Sequence, residues 1–351
     1  MKHWTFLCCP KIKQINSEYA MTKKIVFFNC EDQSDLDVEK KLLGDNADIE
    51  LVLMNDQKDI DIIDVCKDAD GVITIYSPFD RNTLNNLDRL QVIVNQAIGF
   101  DNIDLDAATE KGICAANVPD FCVHEVATHS VGLMLDCARR ITELSNQTKG
   151  GAWEYRDKKM YRLKGQVFGF VAFGNIPKTM VPMLKGLGLK LVVYSPRLKA
   201  DVCAEYGVDK VNSLEDLLAM SDIVSINCPL TVETENLIGE RELKLMKETA
   251  ILINTARGKV VNEDDLYKAL NEGWIYSAGF DVLADEKKHD SKLLELNNFV
   301  ITPHIAFYSE GSMIDMRAKA LNNVLAVIRD KKYPATLLNK DVEAAARFQK
   351  A

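Results

Sequence analysis

Residues 25–28, 49–54, 71–76 and 90–94 form short, nearly unbroken apolar runs, each followed by a polar, helix-compatible stretch rather than a tight turn. A strand that is apolar at every position is buried on both faces, the condition of a parallel sheet covered by helices. The rhythm predicts βα units from Lys24 to about Val118. It resumes at Gly165 with strands over 167–173, 191–194, 223–226, 250–254, 277–282 and 299–301. Between the two series, Asn117-Val118-Pro119-Asp120 is a breaker. The apolar stripe from Val123 through Val126, Ala127, Val131, Leu133, Met134 and Leu135 to Ala138 then predicts one long buried helix, suited to bridging two domains. After His304, residues 311–329 read as an amphipathic helix that returns to the first domain. The expected fold class is α/β with two doubly wound parallel-sheet domains, the second inserted into a discontinuous first. The boundaries are 21–119 with 307–345, and 120–306.

The length of 351 residues suits two cores and a cleft between them. A net charge of −9, with no block of lysine or arginine, argues against nucleic acid or an anionic membrane as the main partner, so a small molecule is expected. The nine cysteines form no C-x-x-C pair, which excludes a disulfide framework or zinc site and implies reduced thiols in a cytoplasmic protein. No metal is expected. Residues 1–20 read as an irregular leader, their apolar run too short for a signal peptide or a membrane span, and Met21 as a natural domain start.

Where the strand 167–173 should turn into a helix, the chain reads Val171-Ala172-Phe173-Gly174-Asn175-Ile176-Pro177, the place of a G-x-G-x-x-G dinucleotide fingerprint of which only the middle glycine remains. A side chain at Gly174 would block approach of a pyrophosphate to the helix N-terminus. Ala172 is expected to stay at negative φ, and Pro177 falls in the first turn, where a missing N–H costs little. The next strand ends at Tyr194-Ser195-Pro196-Arg197, where an NAD site would place a carboxylate for the ribose hydroxyls. Two readings stand: Ser195 and Arg197 admit a 2′-phosphate and favour NADPH, or Arg197 is a surface residue of a turn.

Several longer motifs occur in one order: Gly99-Phe-Asp-Asn-Ile-Asp104, Asn117-Val-Pro119, Cys228-Pro-Leu-Thr231 with Thr234, Ile253-Asn-Thr-Ala-Arg-Gly258, Gly279-Phe-Asp-Val282 and Thr302-Pro-His-Ile-Ala-Phe-Tyr-Ser309. Over roughly 69–339 the chain resembles the D-isomer-specific 2-hydroxyacid dehydrogenase family, and within it the branch of C-terminal-binding protein. The resemblance implies two Rossmann-like domains, a nicotinamide cofactor, NAD or NADP, on the inserted one, and a 2-oxo or D-2-hydroxy acid in the cleft of a homodimeric enzyme. It places the cofactor against Gly174, Asn175, Ile176, Ser195, Arg197, Cys228, Pro229, Thr234 and Thr255, with Asp281 on the nicotinamide carboxamide. The backbone N–H groups of Ile98 and Gly99 would meet the substrate carboxylate.

The catalytic set implied is Arg257, Glu286 and His304. Arg257 comes just after a strand of the second sheet, at the carboxyl end where ligands of open α/β sheets bind, and a guanidinium there forks onto a carboxylate and a 2-oxo oxygen. His304 comes just after the last strand on the same edge, and an imidazole suits delivery of the proton that accompanies hydride transfer. Glu286 stands at the separation from Arg257 at which the resemblance implies a carboxylate, with Asp285 as the rival, and would fix the tautomer of His304. Lys287 and Lys288 stand where the family usually has proline. Tyr76, Ser77, Phe79 and Tyr308 are candidates to line the cleft or to be core. The competing function is a nucleotide-sensing interaction protein of the corepressor type; the retained acid–base pair favours the enzyme, and the eroded phosphate turn the alternative.

Overall fold

The computed structural model describes residues 22–28, 37–44, 48–54, 61–288, 290–344 and 346–349, so the leader, Cys30 and His289 lie outside the described residues. The chain divides into two compact units, 1–119 with 317–351, and 120–316. The second boundary falls ten residues or so beyond the expected position, inside a continuous helix, Glu310–Ile328. No helix among the described residues is long and apolar enough to cross a membrane.

The first unit holds a parallel sheet of β1 (Lys23–Phe28), β2 (Ile49–Met54), β3 (Gly71–Thr74), β4 (Val92–Asn95) and β5 (Cys114–Ala116), in the order β2-β1-β3-β4-β5. β3, β4 and β5 are buried at every position, which is why their sequence shows no polar alternation. A fully buried aliphatic side chain such as Ile93 contributes about 1.5–3 kcal/mol. The connecting helices start on aspartates: Asp80 accepts from Thr83 N at 2.8 Å and Asp104 from Ala107 N at 2.8 Å. β5 was not expected, because Cys-Ala-Ala carries no β-branched or aromatic residue. It pairs in parallel with β4, and support from far along the chain is added by Asn339, whose Oδ1 accepts from Ala115 N at 2.8 Å and whose Nδ2 donates to Ile113 O at 2.9 Å.

The second unit holds β6 (Val167–Val171), β7 (Lys190–Tyr194), β8 (Asp209–Lys210), β9 (Ile223–Ile226), β10 (Ile251–Asn254), β11 (Ser277–Phe280) and β12 (Phe299–Ile301), in the order β12-β11-β10-β9-β6-β7-β8. All neighbours are parallel, with Ile253 beside Ser225 on one side and Gly279 on the other. The order reverses between β6 and β9, and the crevice outside their carboxyl ends is where such sheets bind ligands. The helix between β8 and β9 starts on Ser213, whose Oγ accepts from Asp216 N at 3.0 Å. The long helix, Val123–Arg139, lies within the second unit, where Leu133, Met134 and Cys137 join Phe168, Phe170 and Ile253 in one core. All six cysteines among the described residues are free and buried, and burial pushes the Cys66 and Cys114 thiols up to about 12, so they stay protonated at neutral pH.

Candidate active site

At the crevice, β6 leads into the helix Asn175–Gly186 through Ala172, Phe173 and Gly174. Ala172 does not keep the negative φ expected of it. Its N–H continues the ladder to Tyr194 O at 2.8 Å while the chain turns toward the helix, and its φ is +75°. For an L-residue this conformation costs about 1–2 kcal/mol, of which the greater chain entropy of unfolded glycine offsets part. Ala172→Gly is therefore expected to stabilise the second unit by about 0.5–1 kcal/mol, read as a higher midpoint in urea unfolding; a lower midpoint would show that the alanine is unstrained.

Gly174 differs. Its φ of −84° suits any residue, and an added Cβ would meet no atom within 4 Å. Neither backbone nor packing demands glycine here, and no side chain caps the amides of the first helical turn. That arrangement fits a pyrophosphate. Beyond β7, Ser195 is half-buried and Arg197 exposed. Beyond β9, Cys228 is buried among apolar side chains and Pro229 is exposed. The Thr234 hydroxyl is engaged in its own loop, donating to Pro229 O and accepting from Thr231 N, both at 2.7 Å. Thr255 pairs with Ser130 on the long helix, Oγ1 to Oγ 2.8 Å.

Further along the same edge, β10, β11 and β12 are consecutive neighbours, so the loops at their carboxyl ends lie on one rim. After β10, fully buried Asn254 locks the turn: its Oδ1 accepts from Ala256 N at 3.0 Å and its Nδ2 donates to Arg257 O at 2.9 Å. Half-buried Arg257 donates to Ala256 O at 2.7 Å, and its guanidinium meets no carboxylate among the described residues. A Cβ on Gly258 would sit 2.0 Å from the carbonyl carbon of Leu283, so this turn packs backbone to backbone on the loop after β11. That loop carries Glu286 and is tied by Glu263, which accepts from Ala284 N at 2.5 Å and from Ser291 Oγ at 3.1 Å.

The two adjacent carboxylates have different partners. Lys288 pairs with Asp285 at 3.1 Å and holds its carboxyl below the ordinary carboxylate range. Glu286 is left to His304, with Oε1 and Oε2 at 3.0 and 2.9 Å from Nδ1. Nδ1–H thus donates to Glu286, and Nε2 bonds to nothing among the described residues. His304 has φ +52°, a strained conformation for a non-glycine residue, set by bonds from its N to Asp281 O at 2.8 Å and Thr302 O at 3.0 Å. Asp281 is 1% exposed, and its carboxylate accepts from Thr302 Oγ1, Ile305 N and Ala306 N.

In the first unit, the carbonyls of Ile98 and Gly99 are occupied by Asn117 Nδ2 and Asn95 Nδ2, while their amides donate to nothing among the described residues. Asn95 thus serves to pin this loop. Phe79 is fully buried, edge-on to Phe28 with centroids 5.8 Å apart, and Ser77 is buried; both belong to the interior. Tyr76, 74% exposed, and Tyr308, whose hydroxyl donates to Glu310 at 3.0 Å, remain at the surface. His129 and Thr302 enter the site unannounced. Thr302 stood in the quoted Thr-Pro-His motif, but nothing in the sequence linked it to a histidine on the long helix.

Residues 131–306 match the family model described as D-isomer specific 2-hydroxyacid dehydrogenase, NAD binding domain. The chain is 36% identical over 293 residues to a glyoxylate reductase of Thermococcus gammatolerans, covering 80% of this chain and 86% of that one. It is 34% identical over 267 residues to a D-3-phosphoglycerate dehydrogenase of Methanocaldococcus jannaschii, covering 76% of this chain and 50% of the relative. Among solved structures, D-lactate dehydrogenase from Aquifex aeolicus, complexed with NAD and lactic acid, superposes with TM-score 0.79 at 28% identity, over 90% of this chain and 99% of the other. These relatives favour an enzyme over a nucleotide-sensing interaction protein, and they do not bear specifically on the branch of C-terminal-binding protein. The chain belongs to the D-isomer specific 2-hydroxyacid dehydrogenase family and is an oxidoreductase that moves hydride between a nicotinamide cofactor and a 2-oxo or 2-hydroxy acid.

Proposed function

We propose that the protein reduces a small 2-oxo acid, with glyoxylate as the first candidate, to its 2-hydroxy acid at the expense of NADPH. The observation that carries the reading is the His304–Glu286 pair beside a turn that presents Arg257, a guanidinium with no carboxylate of its own among the described residues. Glyoxylate is favoured because several relatives above one-third identity bear the name glyoxylate reductase. A bound nicotinamide nucleotide supplies the hydride. Arg257 forks onto the substrate carboxylate and carbonyl oxygen, which orients the carbon and polarises its bond to oxygen. His304, doubly protonated and held through Nδ1–H by Glu286, gives its Nε2 proton to that oxygen and is left as the Nδ1–H imidazole, the form that takes the proton back in the reverse reaction. In the first unit, the open amides of Ile98 and Gly99 are donors suited to a carboxylate.

The preference for NADPH rests on Ser195, which leaves no carboxylate at the end of β7, and on exposed Arg197. The field of Arg197 reaches the loop after β9: the Glu233 carboxyl is held below its ordinary range first by the Thr231 hydroxyl and, as a lesser cause, by Arg197. NADPH is expected to bind roughly tenfold to a hundredfold more tightly than NADH, the worth of one charge-assisted contact. Ser195→Asp should shift the ratio toward NADH and Arg197→Ala should level it, by fluorescence titration. Equal or tighter NADH binding by the wild type would overturn the cofactor preference and leave the reaction untouched, whereas failure to oxidise either cofactor with glyoxylate or a panel of 2-oxo acids would remove the reaction itself.

We assign the enzyme to the cytoplasm, in keeping with the free buried thiols among the described residues. Fractionation that finds it elsewhere would remove that assignment. A homodimer is favoured by Trp153 and Tyr155, 88% and 66% exposed on one segment of the second unit. A monomeric mass in light scattering would count against it.

A further inference from the structure

Behind the rim that carries His304, a cavity of about 930 Å³ runs between the helix Val123–Arg139 and the edge strand β12. His129 of the helix and Thr302 of the turn after β12 both line it. His129 Nε2 lies 2.8 Å from Thr302 Oγ1, and Thr302 Oγ1 lies 2.5 Å from Asp281 Oδ1. Both residues that flank His304 on its C-terminal side, Ile305 and Ala306, give their amides to the same carboxylate, at 2.9 and 2.8 Å. The His304 amide itself donates to Asp281 O at 2.8 Å. Asp281 therefore grips the turn through main chain and side chain together, and the strained φ of His304 is what this grip imposes.

A hydroxyl has one hydrogen, and the short contact spends it on the Asp281 carboxylate. Thr302 Oγ1 must then accept from His129, which requires the hydrogen of the His129 ring on Nε2. We infer that His129 is a positioning residue for the reaction: through Thr302 it fixes the Asp281 carboxylate, and through Asp281 the turn that sets His304 against Glu286. The chain His129–Thr302–Asp281 is satisfied at each link, and its members act as a unit. The inference rests on the proposed role of His304 for its kinetic consequence, and on geometry alone for its tautomer.

Two measurements on the intact protein test it. With a 2-oxo acid and NADPH, His129→Phe is expected to lower kcat roughly tenfold to a hundredfold through misplacement of the proton donor, with KM and the unfolding midpoint little changed. His129→Gln, which keeps an N–H donor near the position of Nε2, restores most of that loss. Thr302→Val added to His129→Phe costs little more than either alone. In histidine-labelled protein, nitrogen NMR is expected to find His129 as the Nε2–H tautomer and His304 as the Nδ1–H tautomer, with the His304 signals displaced in His129→Phe. A wild type without reductase activity would defeat the proposed reaction while the NMR arm still decides the inference. An Nδ1–H tautomer at His129, or His304 signals indifferent to His129→Phe, overturns it; so does a kcat loss that His129→Gln shares in full.

Discussion

Replacing His304 with glutamine is expected to lower kcat for 2-oxo acid reduction by ~10²–10⁴-fold while leaving cofactor affinity nearly unchanged. The imidazole is held by one nitrogen only. Nδ1 is engaged by both oxygens of Glu286, and Nε2 is left without a partner among the described residues, the arrangement of a group that passes a proton in one direction. Glutamine retains a donor but no titratable group, so it loses the step made only in the transition state. The elements proposed to hold the pyrophosphate and ribose lie on other strands, around Gly174 and the ends of β7 and β9, and do not contact this side chain in any hydrogen bond among the described residues. Fluorescence titration of NADPH beside steady-state kinetics separates the two effects. A variant with undiminished kcat would take His304 out of the mechanism, whatever its geometry.

Arg257→Lys is expected to reduce kcat/KM by roughly tenfold to a hundredfold, from loss of about 1.5–3 kcal/mol of charge-assisted bonding, with kcat and KM both affected. The charge is conserved and the fork is not: an ammonium is a point donor and cannot hold a carboxylate and a carbonyl oxygen in one plane. The fold should tolerate the change. The turn is held by Asn254, and the arginine's own bond reaches only the neighbouring Ala256 carbonyl. An unfolding midpoint that drops while kcat/KM stays put would make Arg257 a structural residue of the turn. The neighbouring glycine has no such latitude, because the Leu283 backbone occupies the place of its side chain.

The sequence by itself determined the strands that are buried on both faces. β3, β9, β10 and β11 are buried at every position and β1 over its last four, and these runs are broken only by the small polar residues Thr74, Ser225, Asn254 and Ser277. It also determined which residue types stand at the rim, because Arg257, Glu286 and His304 each come a few positions after a strand, and parallel strands gather the loops at their carboxyl ends on one edge. The short edge pieces β5 and β8 escaped it, since three small residues and two exposed charged ones carry no pattern.

Tertiary structure alone decided the rest. Asp285 and Glu286 are chemically alike and adjacent, and only the folded loop shows that the first pairs with Lys288 and the second with the imidazole. Ala172 reads as a mild replacement until the ladder to Tyr194 and the helix start force its φ positive. Phe79 and Ser77 read equally as lining or interior, and burial settles that by packing against residues far along the chain. His129 and Thr302 are 173 positions apart, and no periodicity or spacing within either segment encodes their hydrogen bond. Periodicity reports how a segment meets the core, whereas the partner of a polar side chain is set by which segments the core brings together.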